Sequence, residues 1–202
     1  MGGTGMEGAP RVASRQALNR YPIIPAVRRD EDLDPALGSP AGALFLLSAS
    51  LLTLPRVIER CRAAGKAVFV HYDLVEGLAG DRSGVEFLAR YARPDGIITT
   101  RSTVARYSLE VGLETILRIF ALDSAAVATA VQVIRRTQPG AVEVLPASLP
   151  AWVFAEIRTV HQGPLVAGGL VRALPDIKKV LAAGATAVST SNPALWGGAG
   201  SG

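Results

Sequence analysis

The chain has 202 residues, 49% of them hydrophobic, with a formal charge of +4. That is enough for one domain with a sizeable core, and too apolar for a disordered chain. No apolar run approaches the ~18 residues of a membrane span. One cysteine, Cys61, excludes an internal disulfide and suits a reducing cytoplasm, and no Cys/His spacing suggests zinc.

Arg supplies 18 of the 21 cations, and the modest positive balance favours polyanionic partners without demonstrating one. Residues 1–20 are Gly-rich and polar and lack the apolar stretch of a signal peptide, so they read as a disordered leader. Residues 21–196 read as a single domain and 197–202 as a flexible tail.

Short β-branched runs then alternate with longer helix-like segments, the signature of an α/β fold with a parallel sheet. Strands are expected at Ile23–Val27, Ala43–Leu47, Ala67–Asp73, Gly96–Thr99, Glu114–Phe120, Ala141–Leu145, Leu165–Ala167 and Ala185–Thr190. Helices are expected at Leu54–Ala64, Arg82–Tyr91, Ser102–Val111, Ser124–Thr137, Ser148–His161 and Leu174–Ala183, with Ser102, Ser124 and Ser148 as N-caps. A short acidic crossover, Asp30–Asp34, leaves room for about two helical turns before the second strand. Eight strands with crossovers fit a small (β/α)8 barrel with short loops. An open doubly wound sheet is the alternative, and it would require some of these runs not to be strands.

In a barrel the C-terminal strand ends form the mouth, and the loops after the last two strands are the usual phosphate site. Here those loops are Val166-Ala167-Gly168-Gly169-Leu170 and Ala187-Val188-Ser189-Thr190-Ser191-Asn192. Outward-pointing N–H groups and a helix N-terminus in each would form an anion cradle from Gly168, Gly169, Thr190, Ser191 and Asn192. Alternation places His71 and Asp73 on one face. Arg118 and Glu143 interrupt apolar strands next to one another, where a buried charge requires a partner. These four residues are either a polar floor beneath a ligand or a structural ion pair with a core histidine. Arg28, Arg101 and Arg172 follow strands on the same face, where they would meet an anionic ligand, RNA phosphates or solvent alone. No nucleophile elbow, zinc-protease helix or Walker loop is present, which weighs against an enzyme.

Seven segments, in order from Tyr21 to Trp196, carry a family resemblance. Tyr21-Pro22-Ile23-Ile24-Pro25-Ala26-Val27-Arg28 opens it, followed by Phe69-Val70-His71-Tyr72-Asp73-Leu74-Val75-Glu76-Gly77-Leu78. Gly96-Ile97-Ile98-Thr99-Thr100-Arg101-Ser102, Arg118-Ile119-Phe120-Ala121-Leu122-Asp123-Ser124 and Val142-Glu143-Val144-Leu145-Pro146 come next. Ala167-Gly168-Gly169-Leu170-Val171-Arg172 and the stretch from Val188 through Trp196 complete it. Together they resemble the glycerol uptake operon antiterminator family. Arg101 stands where Lys is commoner. Tyr72 stands in place of Ile, on the face expected to touch the outer helices.

The resemblance implies a (β/α)8 fold and a non-catalytic cytoplasmic regulator. Its effector would be glycerol 3-phosphate, with no cofactor and no metal. Its partner would be leader mRNA, on which it prevents a terminator hairpin from ending transcription of glycerol-utilisation genes. On that reading the two loops hold phosphate, Asp73 or Glu143, beside Arg118, accepts the glycerol hydroxyls, and Arg28, Arg101 and Arg172 sense the ligand or touch RNA. No RNA-binding aromatic motif or basic helix is evident. A homodimer has no sequence signature here. The competing function is an isomerase or lyase of a small phosphorylated substrate on the same barrel.

Overall fold

The computed structural model describes residues 11–197. Helix α1 (Arg11–Ala17) precedes β1 (Ile23–Val27); a 3-10 turn at Asp30–Asp32 and α2 (Leu33–Leu37) lead to β2 (Ala43–Leu46). Next come β3 (Ala49–Ser50), α3 (Leu54–Ala63), β4 (Ala67–His71), a 3-10 turn at Tyr72–Leu74 and β5 (Val75–Glu76). Helix α4 (Arg82–Phe87) runs into a π-helical turn at Leu88–Ala92 and then β6 (Gly96–Thr99). The remainder is α5 (Ser102–Val111), β7 (Glu114–Phe120), α6 (Ser124–Thr137), β8 (Ala141–Leu145), α7 (Ala151–Arg158), β9 (Leu165–Gly168), α8 (Leu174–Ala182) and β10 (Ala187–Thr190), with a final 3-10 turn at Pro193–Leu195.

Eight strands close in the order β1-β10-β9-β8-β7-β6-β4-β2, every pair parallel. This is a (β/α)8 TIM-type barrel, and the open sheet is ruled out because β1 pairs with both β2 and β10. β3 and β5 form a separate parallel pair, too short to read from sequence.

The period of two along each strand sorts the apolar residues into two cores. Ile24, Phe45, Phe69, Ile98, Ile116 and Val166 fill the barrel interior. Leu44, Val68, Ile97, Leu117, Val142 and Val188 face outward and pack under Ile58, Leu88, Val104, Ile134, Phe154 and Ile177 of the helices. Phe45 and Phe69 meet edge to face at 6.0 Å. Gly96 makes room for them: a Cβ there would lie 2.8 Å from the Phe69 ring.

Several boundaries differ from the sequence reading. The strand read to Asp73 ends at His71, because Tyr72–Leu74 turns. The helix read over Arg82–Tyr91 breaks into α and π turns. Ser102 and Ser124 are first helical residues rather than caps. Asp123 caps α6 by accepting from the Ala126 N–H at 2.7 Å, and α7 starts three residues past Ser148, after Pro150.

The larger difference lies before β1. Residues 1–10 and 198–202 lie outside the described residues, but 11–20 are not a leader detached from the barrel. Ala17 and Leu18 pack into the interior core beneath the strands. Arg15 donates from Nε and Nη2 to Glu114 Oε1, at 3.1 and 3.0 Å, where β7 begins. Gly140 lies against that pair; a Cβ there would sit 1.4 Å from Glu114 Oε1. The segment therefore closes the N-terminal end of the barrel. The fully buried Leu18 makes this testable. Leu18→Ala is expected to destabilise the protein by about 2–4 kcal/mol in urea unfolding, as a core truncation does; an unchanged midpoint would mean that the segment is dispensable.

Candidate functional site

The uppermost inward-facing side chains of the barrel are polar. β7 and β8 place Arg118 beside Glu143, and β9 and β10 place Gly168 beside Ser189. Arg118 Nε donates to Glu143 Oε2 at 2.6 Å, and Ser189 Oγ donates to Glu143 Oε1 at 2.6 Å. Arg118 and Glu143 are both buried. Both carboxylate oxygens are thus engaged, which offsets the desolvation that a buried charge suffers. Gly168 is small for a steric reason: a Cβ there would lie 2.4 Å from Ser189 Oγ and 2.8 Å from Glu143 Oε1.

Above this floor lies a cavity of about 270 Å³. Its polar wall is Arg28, Arg118, Glu143, Gly169, Ser189, Thr190 and Ser191; its apolar wall is Ala26, Leu47, Leu145, Leu170 and Val171. Gly169 and Leu170 both have left-handed backbone, with φ of 76° and 59°. For Leu170, 72% exposed, that conformation is held against its steric preference. Among the described residues no hydrogen bond engages the N–H of Leu170, Val171 or Ser191.

The helix N-terminus that follows is already occupied. Asp176 Oδ2 accepts from the N–H groups of Arg172 and Ala173 at 2.9 and 3.0 Å, and these bonds hold its carboxyl below the usual range. Asn192 turns the other way: its Oδ1 accepts from the Ala194 N–H at 3.2 Å. Thr190 Oγ1 accepts from the Asn192 N–H, and Thr190 O from the indole of Trp196.

The structure therefore gathers Gly169, Thr190, Ser191, Glu143, Arg118 and Arg28 around one cavity. It places Gly168 just below the wall, and Asn192, Arg172, Asp73 and Arg101 away from it. Asp73 belongs to a separate web. Its carboxylate accepts from Thr99 Oγ1 at 2.9 Å, the Thr100 N–H at 2.8 Å, Thr100 Oγ1 at 3.1 Å and Arg101 Nε at 2.9 Å. Burial pushes the Asp73 carboxyl up, but the Thr100 N–H, Arg101 and Thr99 outweigh it and hold the group below its ordinary value. This web ties the loop after β4 to the loop after β6. Tyr72, as expected, packs in the outer core, with its hydroxyl donating to Ala79 O at 2.6 Å and the Arg101 guanidinium 5.8 Å from its ring.

Ser189, Leu47, Leu145 and Val171 were not singled out from sequence; the alternation that marks Glu143 as inward also marks Ser189. Among the described residues no group of three His, Cys, Asp or Glu side chains could hold a metal ion, and no helix is long and apolar enough to cross a membrane.

His71 ends β4, 5% exposed, and its Nδ1 is the one buried side-chain N or O atom without a partner among the described residues. Burial, then the Arg118 charge, lowers its pKa to about 4, so the ring is neutral at pH 7. In the unfolded chain the same ring takes up a proton near 6.5. The unfolded state therefore binds more protons below that pH, and stability falls as pH drops from 6.5 towards 4. His71→Gln is expected to flatten this decline by on the order of 2 kcal/mol, read from urea unfolding at neutral and acid pH. An unaltered pH profile would place the titration elsewhere.

The chain matches the family model for the glycerol-3-phosphate responsive antiterminator over residues 23–196. It is 31% identical over 182 residues to the uncharacterized protein YgcP of Escherichia coli K12, covering 89% of this chain and 93% of that one. Among solved structures it is similar to the glycerol uptake operon antiterminator regulatory protein of Listeria monocytogenes, with 34% identity, a TM-score of 0.80, and 86% and 94% of the two chains covered. A glycerol uptake operon antiterminator-related protein of Thermotoga maritima gives 30% identity, a TM-score of 0.77 and coverage of 86% and 96%. Deoxyribose-phosphate aldolase from Aeropyrum pernix, at 13% identity and a TM-score of 0.65 over 94% and 97% of the chains, shares the fold alone. With the barrel, the ordered run of motifs and this match over nearly its whole described length, the chain belongs to the glycerol-3-phosphate responsive antiterminator family.

Proposed function

We propose that this chain is a cytoplasmic transcription antiterminator. It holds glycerol 3-phosphate in the mouth cavity and, so loaded, binds leader mRNA to prevent premature termination of glycerol-utilisation genes. The observation that carries the ligand assignment is the gradient of chemistry across the cavity. At one end are the exposed Arg28 and the unengaged N–H groups of Leu170, Val171 and Ser191. Those donors suit a phosphate dianion. At the floor, Glu143, Arg118 and Ser189 present acceptors and donors suited to hydroxyl groups.

The same chemistry argues against turnover. Glu143 is held as a charged carboxylate by Arg118 and Ser189, with only its remaining lone pairs open to a hydroxyl, and Asp73 is committed to the Thr99–Arg101 loop, so both are weakened as general bases. A Schiff-base mechanism needs a lysine facing the substrate. None of the three lysines lines the cavity: Lys66 donates to Ser39 O and Ala41 O, and Lys178 and Lys179 lie exposed on α8.

Phosphorus NMR of glycerol 3-phosphate with the protein, followed for hours, tests this reading. A shifted or broadened resonance without new species is expected. New phosphorus signals would mean chemistry and replace the regulator with an isomerase or lyase. Gly169→Asp is expected to abolish the ligand-induced change. Its carboxylate would project from a backbone with φ of 76°, where even a Cβ meets Leu145 Cδ2 at 3.4 Å. It would also set a negative charge against the phosphate. Retained binding in that variant would overturn the site.

A further inference from the structure

We propose that the cleft between α5 and α6, on the barrel wall away from the mouth, is where backbone phosphates of RNA bind. This rests on the antiterminator reading above and assigns it a surface.

The cleft is a cavity of about 280 Å³ lined by Ser102, Arg106, Val133, Arg136 and Thr137. Arg106 and Arg136 are exposed, and neither makes an ion pair with any described residue. The same holds for Arg135, their neighbour on α6. Half of the other exposed arginines are neutralised by acids. Arg82 pairs with Glu86 and Glu110, Arg90 with Glu86, Arg60 with Asp34, Arg29 with Glu31 and Asp32, and Arg101 with Asp73. Helix α6 carries no acidic side chain from Ser124 to Thr137, and the one carboxylate of α5, Glu110, is paired with Arg82.

The donor set fits a phosphodiester. Two planar guanidinium groups offer paired N–H donors to phosphate oxygens, and the Ser102 and Thr137 hydroxyls, unengaged among the described residues, add two more. Beside the cleft, the Tyr107 ring has the Arg106 and Arg82 guanidinium groups at 5.8 and 5.9 Å from its centre. Guanidinium planes next to an aromatic ring also offer stacking faces to unpaired bases. The cations are exposed and lie along a wall, which suits a polyanion rather than a small anion enclosed by buried donors. The mouth offers less: Arg101 is spent on Asp73, leaving Arg28 at the ligand cavity and Arg172 beyond it.

Both helices of the cleft start from the mouth. α5 begins at Ser102, directly after the Thr99–Arg101 loop held by Asp73, and α6 follows β7, which carries Arg118. The α5 wall thus begins at the mouth loop that Asp73 holds, while the α6 wall, Val133 to Thr137, lies at the far end of the helix that follows Arg118's strand.

The test is fluorescence anisotropy of a labelled transcript of the untranslated leader preceding the glycerol-utilisation genes, titrated with the full chain and glycerol 3-phosphate at several salt concentrations. Arg106→Gln/Arg136→Gln is expected to bind at least tenfold more weakly. Its log–log salt slope should be lower by about 1.4, two contacts at ~0.7 each for a single strand. The variant should still broaden the phosphorus resonance of glycerol 3-phosphate, which shows that the barrel and mouth are intact. Lys178→Gln/Lys179→Gln removes the same charge from α8 and should leave RNA affinity within twofold. Wild-type affinity and slope in the arginine variant, or an equal loss in the lysine variant, would overturn the cleft. Inorganic phosphate bound by the wild type and lost in the arginine variant, with RNA affinity unchanged, would overturn it in favour of a small anion. A wild-type chain that binds no leader RNA with or without ligand would overturn the antiterminator reading, and the cleft with it.

Discussion

The upper half of the barrel is organised by one buried interaction, the Arg118–Glu143 pair with Ser189 on its second carboxylate oxygen. A guanidinium inside a parallel barrel is tolerable only with its counter-ion and every exposed lone pair accounted for. From that requirement several neighbouring identities follow. Position 168 must lack a side chain, because Ser189 and Glu143 already fill the space a Cβ would take. His71 must be neutral, because it shares the same low-dielectric layer with the Arg118 charge. The cavity above is shallow and polar at its base because the pair forms its floor.

Around that floor the two halves of the mouth differ in how fully their polar groups are engaged. The loops after β4 and β6 are bound together by four groups converging on the Asp73 carboxylate, leaving little of it for a ligand. The loop after β9 is the reverse, with two successive left-handed residues and unengaged N–H groups. Asp176 sharpens this contrast. By capping the start of α8 from within the chain, it takes the donors at Arg172 and Ala173 and leaves those at Leu170 and Val171. The anion-binding capacity of this region therefore resides in the loop rather than in the helix dipole.

Much of this was legible in the sequence. Eight short apolar runs with helical crossovers give the barrel because strands buried on both faces read as continuous apolar stretches and each crossover is long enough to return over the sheet. A charge in the middle of an apolar strand, at 118 and again at 143, points to a buried pair because nothing else makes such a position tolerable. What was not legible depended on side-chain direction and on contacts between distant segments. Asp73 reads as a mouth carboxylate, yet the chain turns at Tyr72 and aims it sideways at the neighbouring loop. Asn192 reads as part of a cradle, yet it bonds to its own turn, an ordinary habit of Asn before a helical residue. The role of Gly168 as empty space needs the positions of two other strands. The sealing segment at 11–18 is polar enough to read as a tail, and only the packing of Ala17 and Leu18 under the strands and the Arg15–Glu114 contact show otherwise.

That seal bears on how the domain is made. Arg15 and Glu114 are 99 positions apart, and β1 completes its ladder only with β10 near the other terminus. As the chain leaves the ribosome, α1 and β1 emerge before Glu114 and before β10, one of the strands that flank β1. The apolar residues they will bury stay uncovered while most of the chain is synthesised. Closure of this barrel, and with it full cover for the faces of β1, waits until β10 has been made.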